Sequence, residues 1–150
     1  MSMTVKPSMA KAILLIFATG ALAGCRKNEQ RGGEPAQPPL KNVLSSAQGS
    51  YQVQYVTNPD PIPLNEPFEI EVRVTSLANR SAASDMSLEV DGRMPHHRHG
   101  MNRQPTVTAR GSGEFHVENM LFHMPGRWEL YFDVTSGGQT ERAQDVIHLD

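Results

Sequence analysis

Apolar and polar residues alternate along two segments of the chain, and this alternation predicts β-strands. In residues 68–75 every second side chain is apolar, beginning with Phe68, and residues 128–134 repeat the pattern, beginning with Trp128. Because successive side chains of a strand point to opposite faces, each segment has one apolar and one polar face. Both segments are therefore predicted to be half-buried strands of an antiparallel sheet.

Five more segments have weaker strand patterns, at residues 51–56, 86–90, 105–109, 114–119 and 142–149. Turn sequences rich in Pro, Gly and Asn separate them. About seven short strands, with no helical periodicity after the first 24 residues, predict an all-β fold in which two antiparallel sheets form a sandwich. We expect Trp128, Phe122 and Phe68 in its core.

The first 24 residues have the layout of an export signal. Two lysines precede an apolar run at residues 12–23 that ends in small residues. The run is shorter than the roughly 20 residues that span a bilayer. Residues 22–25 (LAGC) resemble the lipobox of bacterial lipoproteins, and Cys25 is the single cysteine of the chain. We expect residues 1–24 to be removed and Cys25 to carry a lipid that anchors the protein to a membrane; the alternative is a signal peptide with an incidental Cys.

The residue that follows Cys25 indicates in which membrane the predicted lipoprotein is anchored. Well-studied Gram-negative lipoproteins retained in the inner membrane have Asp there, and this chain has Arg26. That resemblance predicts a lipid-anchored protein on the periplasmic side of the cell envelope and favours the outer membrane. Residues 25–50 are polar and contain several Pro and a Gly pair. They are predicted to be the lipidated Cys and a flexible linker, which leaves residues 51–150 as the folded domain.

Charge, cysteine content and motifs exclude several classes of protein. With 14 Lys and Arg against 16 Asp and Glu, the net charge is -2. No basic surface for phosphates is expected, and nucleic acid is not a predicted partner. A single Cys excludes an internal disulfide and a thiolate-rich zinc site. The sequence has no Gly-x-Ser-x-Gly, His-Glu-x-x-His or phosphate-loop motif, so we do not expect an enzyme.

Histidine and methionine are concentrated at residues 94–101. In extended backbone alternate residues share a face, so His97, His99 and Met101 are predicted to project together. Imidazole and thioether groups are ligands that suit copper. Loops gather at the two ends of a sandwich, which makes the His-Met pair at residues 123–124 a further candidate. The candidate metal is copper, and its candidate ligands are Met94, His97, His99, Met101, His123 and Met124.

These residues also have simpler interpretations. His-rich loops occur as plain solvated surface, and the arginines near residues 94–101 would repel a cation. Met124 is in phase with Phe122, which makes it a candidate for the core. His116 alternates with glutamates, a pattern that favours a solvated strand face over a ligand, and His148 has no visible partner in the sequence.

At these same residues the chain resembles the YtkA-like family of small exported or membrane-anchored bacterial domains. The matching features are Met-Pro-x-His-x-His-Gly at residues 94–100, Gly-Glu-Phe-His-Val at 113–117 and Phe-His-Met-Pro-Gly-Arg-Trp-Glu-Leu at 122–130. The resemblance implies an immunoglobulin-like sandwich. It also implies a loose relation to FixH-like proteins, linked to assembly of a copper-containing oxidase, and to CopC-type periplasmic copper carriers. The chain departs from the CopC pattern because Cys25 stands where those proteins have an N-terminal His.

Two functional hypotheses follow. In the first, a lipid-anchored extracytoplasmic domain binds or delivers copper through a surface His/Met cluster by ligand exchange. Its expected partners are the membrane, through the lipid, and an envelope copper protein or an oxidase-assembly protein. In the second, the domain binds no metal and docks on another envelope protein through a sheet face or its end loops.

Overall fold

A computed structural model describes residues 39–78 and 85–150; the predicted signal peptide and Cys25 lie outside the described residues. The described residues form nine strands and one short 3₁₀ helix, Pro95–His97. The strands are β1 (Asn42–Ser45), β2 (Tyr51–Asn58), β3 (Phe68–Ser76), β4 (Ser87–Met94), β5 (His99–Gly100), β6 (Thr106–Gly111), β7 (Glu114–Met120), β8 (Gly126–Ser136) and β9 (Gln139–Leu149). None of the helical structure described is long and apolar enough to cross a bilayer.

The strands make two antiparallel sheets. The first has the order β1-β2-β3-β7-β6 and the second the order β5-β4-β8-β9. The apolar faces of both sheets supply one core, whose largest fully buried side chains include Trp128, Tyr55, Phe68, Phe122 and Phe132. The prediction of an all-β antiparallel sandwich is confirmed.

The two segments with the clearest alternation correspond to β3 and β8. Buried and more exposed positions alternate along β3 from Phe68 to Val74. In β8 the buried Trp128 stacks on Phe122, with ring centroids 4.4 Å apart and planes 11° from parallel. Burying a large apolar side chain contributes about 1.5–3 kcal/mol, so these inward faces hold the two sheets together.

Strand β1 lies within residues 25–50, where the sequence predicted a flexible linker, so the sandwich begins before residue 51. All four residues of β1 pair with β2. In the turn that follows, the Ser46 hydroxyl donates to the Glu141 carboxylate of β9 at 2.6 Å, and the Ser50 amide donates to the same oxygen at 3.3 Å. These hydrogen bonds, that of Ser46 foremost, lower the pKa of Glu141. The turn thus links the first sheet to the second.

Loops that carry the predicted site gather at one end of the sandwich. There β4 ends at Met94, β7 ends at Met120 and β8 begins at Gly126. The loop before β3 closes on the same place, because the Asn65 amide donates to the Phe122 carbonyl at 2.8 Å.

The chain also enters and leaves the domain at this end. Asn42 at the start of β1 pairs with Tyr55 near the end of β2, and the preceding Lys41 forms a 2.7 Å ion pair with Asp60. At the other terminus Leu149 pairs with Gly126, the first residue of β8.

Candidate metal sites

Three histidine rings form a row at this end of the sandwich. The ring centroids of His97 and His99 are 5.9 Å apart, and those of His99 and His123 are 5.3 Å apart. We call these three residues the end cluster. His97 is exposed, whereas His99 and His123 are half-buried.

The spacing of the rings suits a shared metal ion. A nitrogen about 2.0–2.1 Å from a metal places its ring centre about 3.2 Å away, so two bound rings lie about 5.2 Å apart at the tetrahedral angle and about 6.4 Å apart when opposite. The two observed centroid distances fall within this range. Each neighbouring pair, His97–His99 or His99–His123, thus lies at a spacing that a shared ion allows, whereas the ligand nitrogens of all three rings do not lie within 4.8 Å of one another.

The local backbone brings His97 beside His99 by a route that differs from the predicted extended segment. Pro95 begins the 3₁₀ helix, and Arg98 ends it in the left-handed conformation, with φ 57°. Proline suits the first position of a helix because its φ is already fixed and the missing amide is not needed there. The chain then reverses into β5, where His99 pairs with Met94.

Trp128 packs against two rings of the end cluster from the side of the core. Its ring meets His99 and His123 edge to face, with centroids 6.0 and 5.5 Å away. The indole is fixed in turn, because Nε1 donates to the Met124 carbonyl at 2.9 Å and the ring stacks on Phe122. Two of the three imidazoles therefore rest on an aromatic pair that belongs to the core.

The hydrogen bonds of the cluster leave ring nitrogens available. His99 Nδ1 lies 3.2 Å from the Gly100 carbonyl. Because a carbonyl only accepts, this contact places the proton of a neutral ring on Nδ1 and leaves the lone pair of Nε2 free. His123 Nδ1 is buried without a partner among the described residues. A buried polar atom with no partner costs about 1–3 kcal/mol, a cost that a bound ion would relieve.

The methionines are not presented in the way the sequence predicted. Met94 is 1% exposed and belongs to the core. Its methyl group lies 3.1 Å from the position that a Cβ on Gly126 would occupy, so the absence of a side chain there leaves room for it. Met94 is therefore removed from the surface set of candidate ligands. Met101 and Met124 are half-buried and pack against the edge of the core.

Three of the nearby arginines are engaged with other groups, whereas Arg98, between His97 and His99, is exposed and has no side-chain partner among the described residues. Arg93 is 2.7 Å from the Asp91 carboxylate, and Arg127 is 2.7 Å from that of Glu129. Arg103 donates to the Asn119 side chain at 2.9 Å. Carboxylates partly cancel the positive field of Arg93 and Arg127, which weakens the expected repulsion of a cation.

A second group of titratable side chains lies on the outer face of the first sheet. His116 Nδ1 is 2.9 Å from Glu71, and its Nε2 is 3.9 Å from both Glu69 and Glu118. We call these four residues the face cluster. The ligand atoms offered by Glu69, His116 and Glu118 all lie within 4.8 Å of one another.

The sequence pattern missed this group. Glutamate alternation indicated a solvated face at His116, but carboxylates surround the ring and leave its side chain 15% exposed. The signal is the cross-strand pair Glu71↔His116 in the register between β3 and β7. These strands are far apart in the chain, so the pair is visible only once the register is known. His148, by contrast, is exposed near the end of β9.

The fold and the end cluster define a small all-β sandwich domain with histidines gathered at one end. Within that class the chain matches the model of one family, described as YtkA-like, over residues 45–133. The match covers more than half of the chain, and the protein belongs to the YtkA-like family. Comparisons with curated proteins and with solved structures found no significant match.

Proposed function

We propose that the protein is a lipid-anchored domain of the cell envelope that binds copper at the end cluster and delivers it to a partner. The observation that carries this proposal is the row of His97, His99 and His123, in which the Nδ1 atom of His123 is buried and has no hydrogen-bond partner among the described residues. The role is binding and transfer of an ion rather than catalysis.

The chemistry of the side chains favours copper among common metals. Imidazole suits copper, zinc and nickel, whereas magnesium, calcium and manganese prefer oxygen ligands. The thioethers of Met101 and Met124 lie at the same end of the sandwich and would add preference for Cu(I). Compared with the set expected from the sequence, the main ligands become histidines, and the methionines become secondary.

Delivery by ligand exchange follows from the unequal exposure of the three rings. His97 is exposed, and the other two rings rest on Trp128. A partner with similar ligands would replace His97 first, while His99 and His123 still hold the ion. The partner class is an envelope copper protein or an oxidase-assembly protein.

Copper titration tests the site. Cu(I) affinity is measured by competition with a chromophoric chelator for the purified protein and for the double variant His99→Ala/His123→Ala. We expect the double variant to lose well over tenfold in affinity. The matched control is His96→Ala/His148→Ala, which removes two exposed histidines outside the end cluster and should bind as the unchanged protein does. Equal affinity in the two double variants, or no binding by the unchanged protein, would contradict the proposal and favour the metal-independent docking module.

The anchor is tested separately. Replacing Cys25 with Ser removes the only thiol in the chain, so the protein should move from the membrane fraction to the soluble fraction after cell lysis. Metabolic labelling with a fatty acid should mark the unchanged protein and leave Cys25→Ser unlabelled. Labelling of both proteins would rule out this residue as the lipid carrier.

A further inference from the structure

We infer that the face cluster is a second metal site, in which Glu69, His116 and Glu118 bind a divalent cation of the Zn²⁺ type. It is built on the outer face of the first sheet from different ligands, so it does not depend on the copper proposal. The three ligand atoms already lie within 4.8 Å of one another.

The histidine is oriented as metal-binding histidines are. Its Nδ1 lies 2.9 Å from the Glu71 carboxylate. An ionised carboxylate only accepts, so the proton is on Nδ1, and the lone pair of a neutral ring at Nε2 faces Glu69 and Glu118. Arg110 fixes Glu71 in turn, because its NH1 donates to both carboxylate oxygens at 3.1–3.2 Å. A carboxylate that accepts a hydrogen bond from the non-ligating ring nitrogen of a histidine fixes the ring and makes it a stronger metal ligand.

The distances leave room for an ion. Ligand atoms about 2.0–2.1 Å from a tetrahedral Zn²⁺ lie about 3.4 Å apart. Nε2 is 3.9 Å from a carboxylate oxygen on either side, and the two carboxylate oxygens are within 4.8 Å of each other, so closure around an ion needs shifts of about half to one ångström. Glu69 and Glu118 can make such shifts because their side chains are 47% and 51% exposed. Three protein ligands leave a fourth position for water.

A simple ion-pair network accounts for the other carboxylates of this face but not for these two. Glu114 is 2.7 Å from Arg73, and Glu71 is paired with Arg110. Among the described residues the ion-pair partner of Glu69 and Glu118 is His116, and 3.9 Å is too long for a hydrogen bond. Two neighbouring carboxylates repel each other, and a divalent cation between them would reverse the sign of that interaction.

The ligand types select a different ion from that of the end cluster. Two carboxylates and one imidazole form a mixed oxygen and nitrogen set of the kind that Zn²⁺ accepts, whereas Cu(I) prefers softer sulfur ligands. The two sites would therefore differ in ligand chemistry, with sulfur available only at the end cluster among the described ligand candidates.

Zinc binding is measured in a protein whose end cluster has been removed, because imidazoles there also suit Zn²⁺. In the His99→Ala/His123→Ala background we expect one Zn²⁺ by calorimetric titration. Co²⁺, used as a spectroscopic probe, should give the visible absorption of a site with nitrogen and oxygen ligands. Adding Glu69→Gln/Glu118→Gln should weaken Zn²⁺ binding more than tenfold, and Glu71→Gln alone by roughly 10- to 100-fold through the orientation of His116.

Glu114→Gln is the matched control, since it removes a carboxylate from the same strand and face outside the ligand set. It should leave Zn²⁺ affinity unchanged. Without metal, Glu69→Gln/Glu118→Gln should melt no lower than its parent, because it removes a like-charge contact. Zinc binding that persists in the Glu69→Gln/Glu118→Gln variant, or no binding in the parent at millimolar Zn²⁺, would overturn this inference. Neither result bears on the copper site.

Discussion

The end cluster and the face cluster use histidine in opposite surroundings. At the end of the sandwich, the rings of His99 and His123 meet the Trp128 ring at a steep angle, and the thioethers of Met101 and Met124 lie in the adjoining loops. On the sheet face, three carboxylates surround one histidine, and Arg110 holds the carboxylate behind it. The first setting is apolar and supported by the core, while the second is charged and supported by a surface network.

If both proposals hold, this difference would let one fold present two coordination chemistries. Loops that meet at a sandwich end bring together residues from distant parts of the chain, and the core beneath keeps them in place. A sheet face brings residues together through strand register alone, so its ligands stand in rows on neighbouring strands. Changes in the core should therefore affect the end cluster, whereas changes in surface charge should affect the face cluster.

The largest effect is expected from Trp128→Ala. This variant removes the largest fully buried side chain and should lower the free energy of unfolding by about 3–5 kcal/mol. Urea denaturation measures the loss, and Cu(I) affinity should fall because the rings lose their support. The control Trp128→Phe keeps an aromatic ring, removes the Nε1 donor and should cost less. A loss under about 1 kcal/mol for the alanine variant would contradict the packing role of this ring, and unchanged Cu(I) affinity would mean that the end cluster does not depend on it.

A smaller loss of stability is expected from Gly92→Ala, which adds a Cβ against the side chains that pack beneath the end cluster, Phe122 and Met101. A Cβ at this position of β4 would collide with the Phe122 ring and lie 3.3 Å from Met101 Cγ. Overpacking of this kind costs about 1–3 kcal/mol. Cu(I) affinity should fall with stability, while Zn²⁺ affinity of the face cluster should not change. Glu89→Ala, at an exposed position of the same strand, is the control; an equal loss there would refute the steric explanation.

The smallest effect on stability is expected from Arg110→Met, which tests the charged network. The ion pair with Glu71 is partly exposed, with side chains 39% and 19% accessible, so its loss should cost about 1 kcal/mol. Zn²⁺ affinity should nevertheless fall severalfold, because Arg110 no longer fixes the Glu71 carboxylate that orients the His116 ring. Arg73→Met breaks a comparable pair with Glu114 on the same face and should leave Zn²⁺ affinity intact. If both variants bind Zn²⁺ alike, Arg110 has no positioning role.

Strands with a strict apolar alternation were predictable, and strands that depend on distant partners were not. The segments beginning at Phe68 and Trp128 correspond to β3 and β8 because each has a continuous inward face. Strand β1 lies in polar sequence, and only Leu44 packs partly against the core. Pairing with β2 and the Ser46 contact to Glu141 maintain it, and neither is visible in local sequence.

The end cluster was predictable in part, but the backbone that brings His97 and His99 together is not the extended segment that the sequence predicts. Spacing of two residues in an extended segment suggested that His97 and His99 share a face, but a 3₁₀ turn and a left-handed Arg98 bring them together. The proximity of His123 follows from loops meeting at one end. Met94 is in phase with the inward-facing residues of β4, and this periodicity buries it. The face cluster depends on a register shift between Phe68 and Ile70 that local pattern does not specify.

The positions of the two ends of the described domain decide where a label or a solid support can be attached. Because Asn42 and Leu149 lie at the same end as the imidazole row, a bead, fusion protein or affinity tag joined directly before Asn42 or after Leu149 would crowd that row and hinder an approaching macromolecule. The hairpin between Ser136 and Gln139 is at the far end. A label or linker placed there would leave the imidazole row open to an approaching macromolecule, and surface immobilisation for binding measurements should use this hairpin.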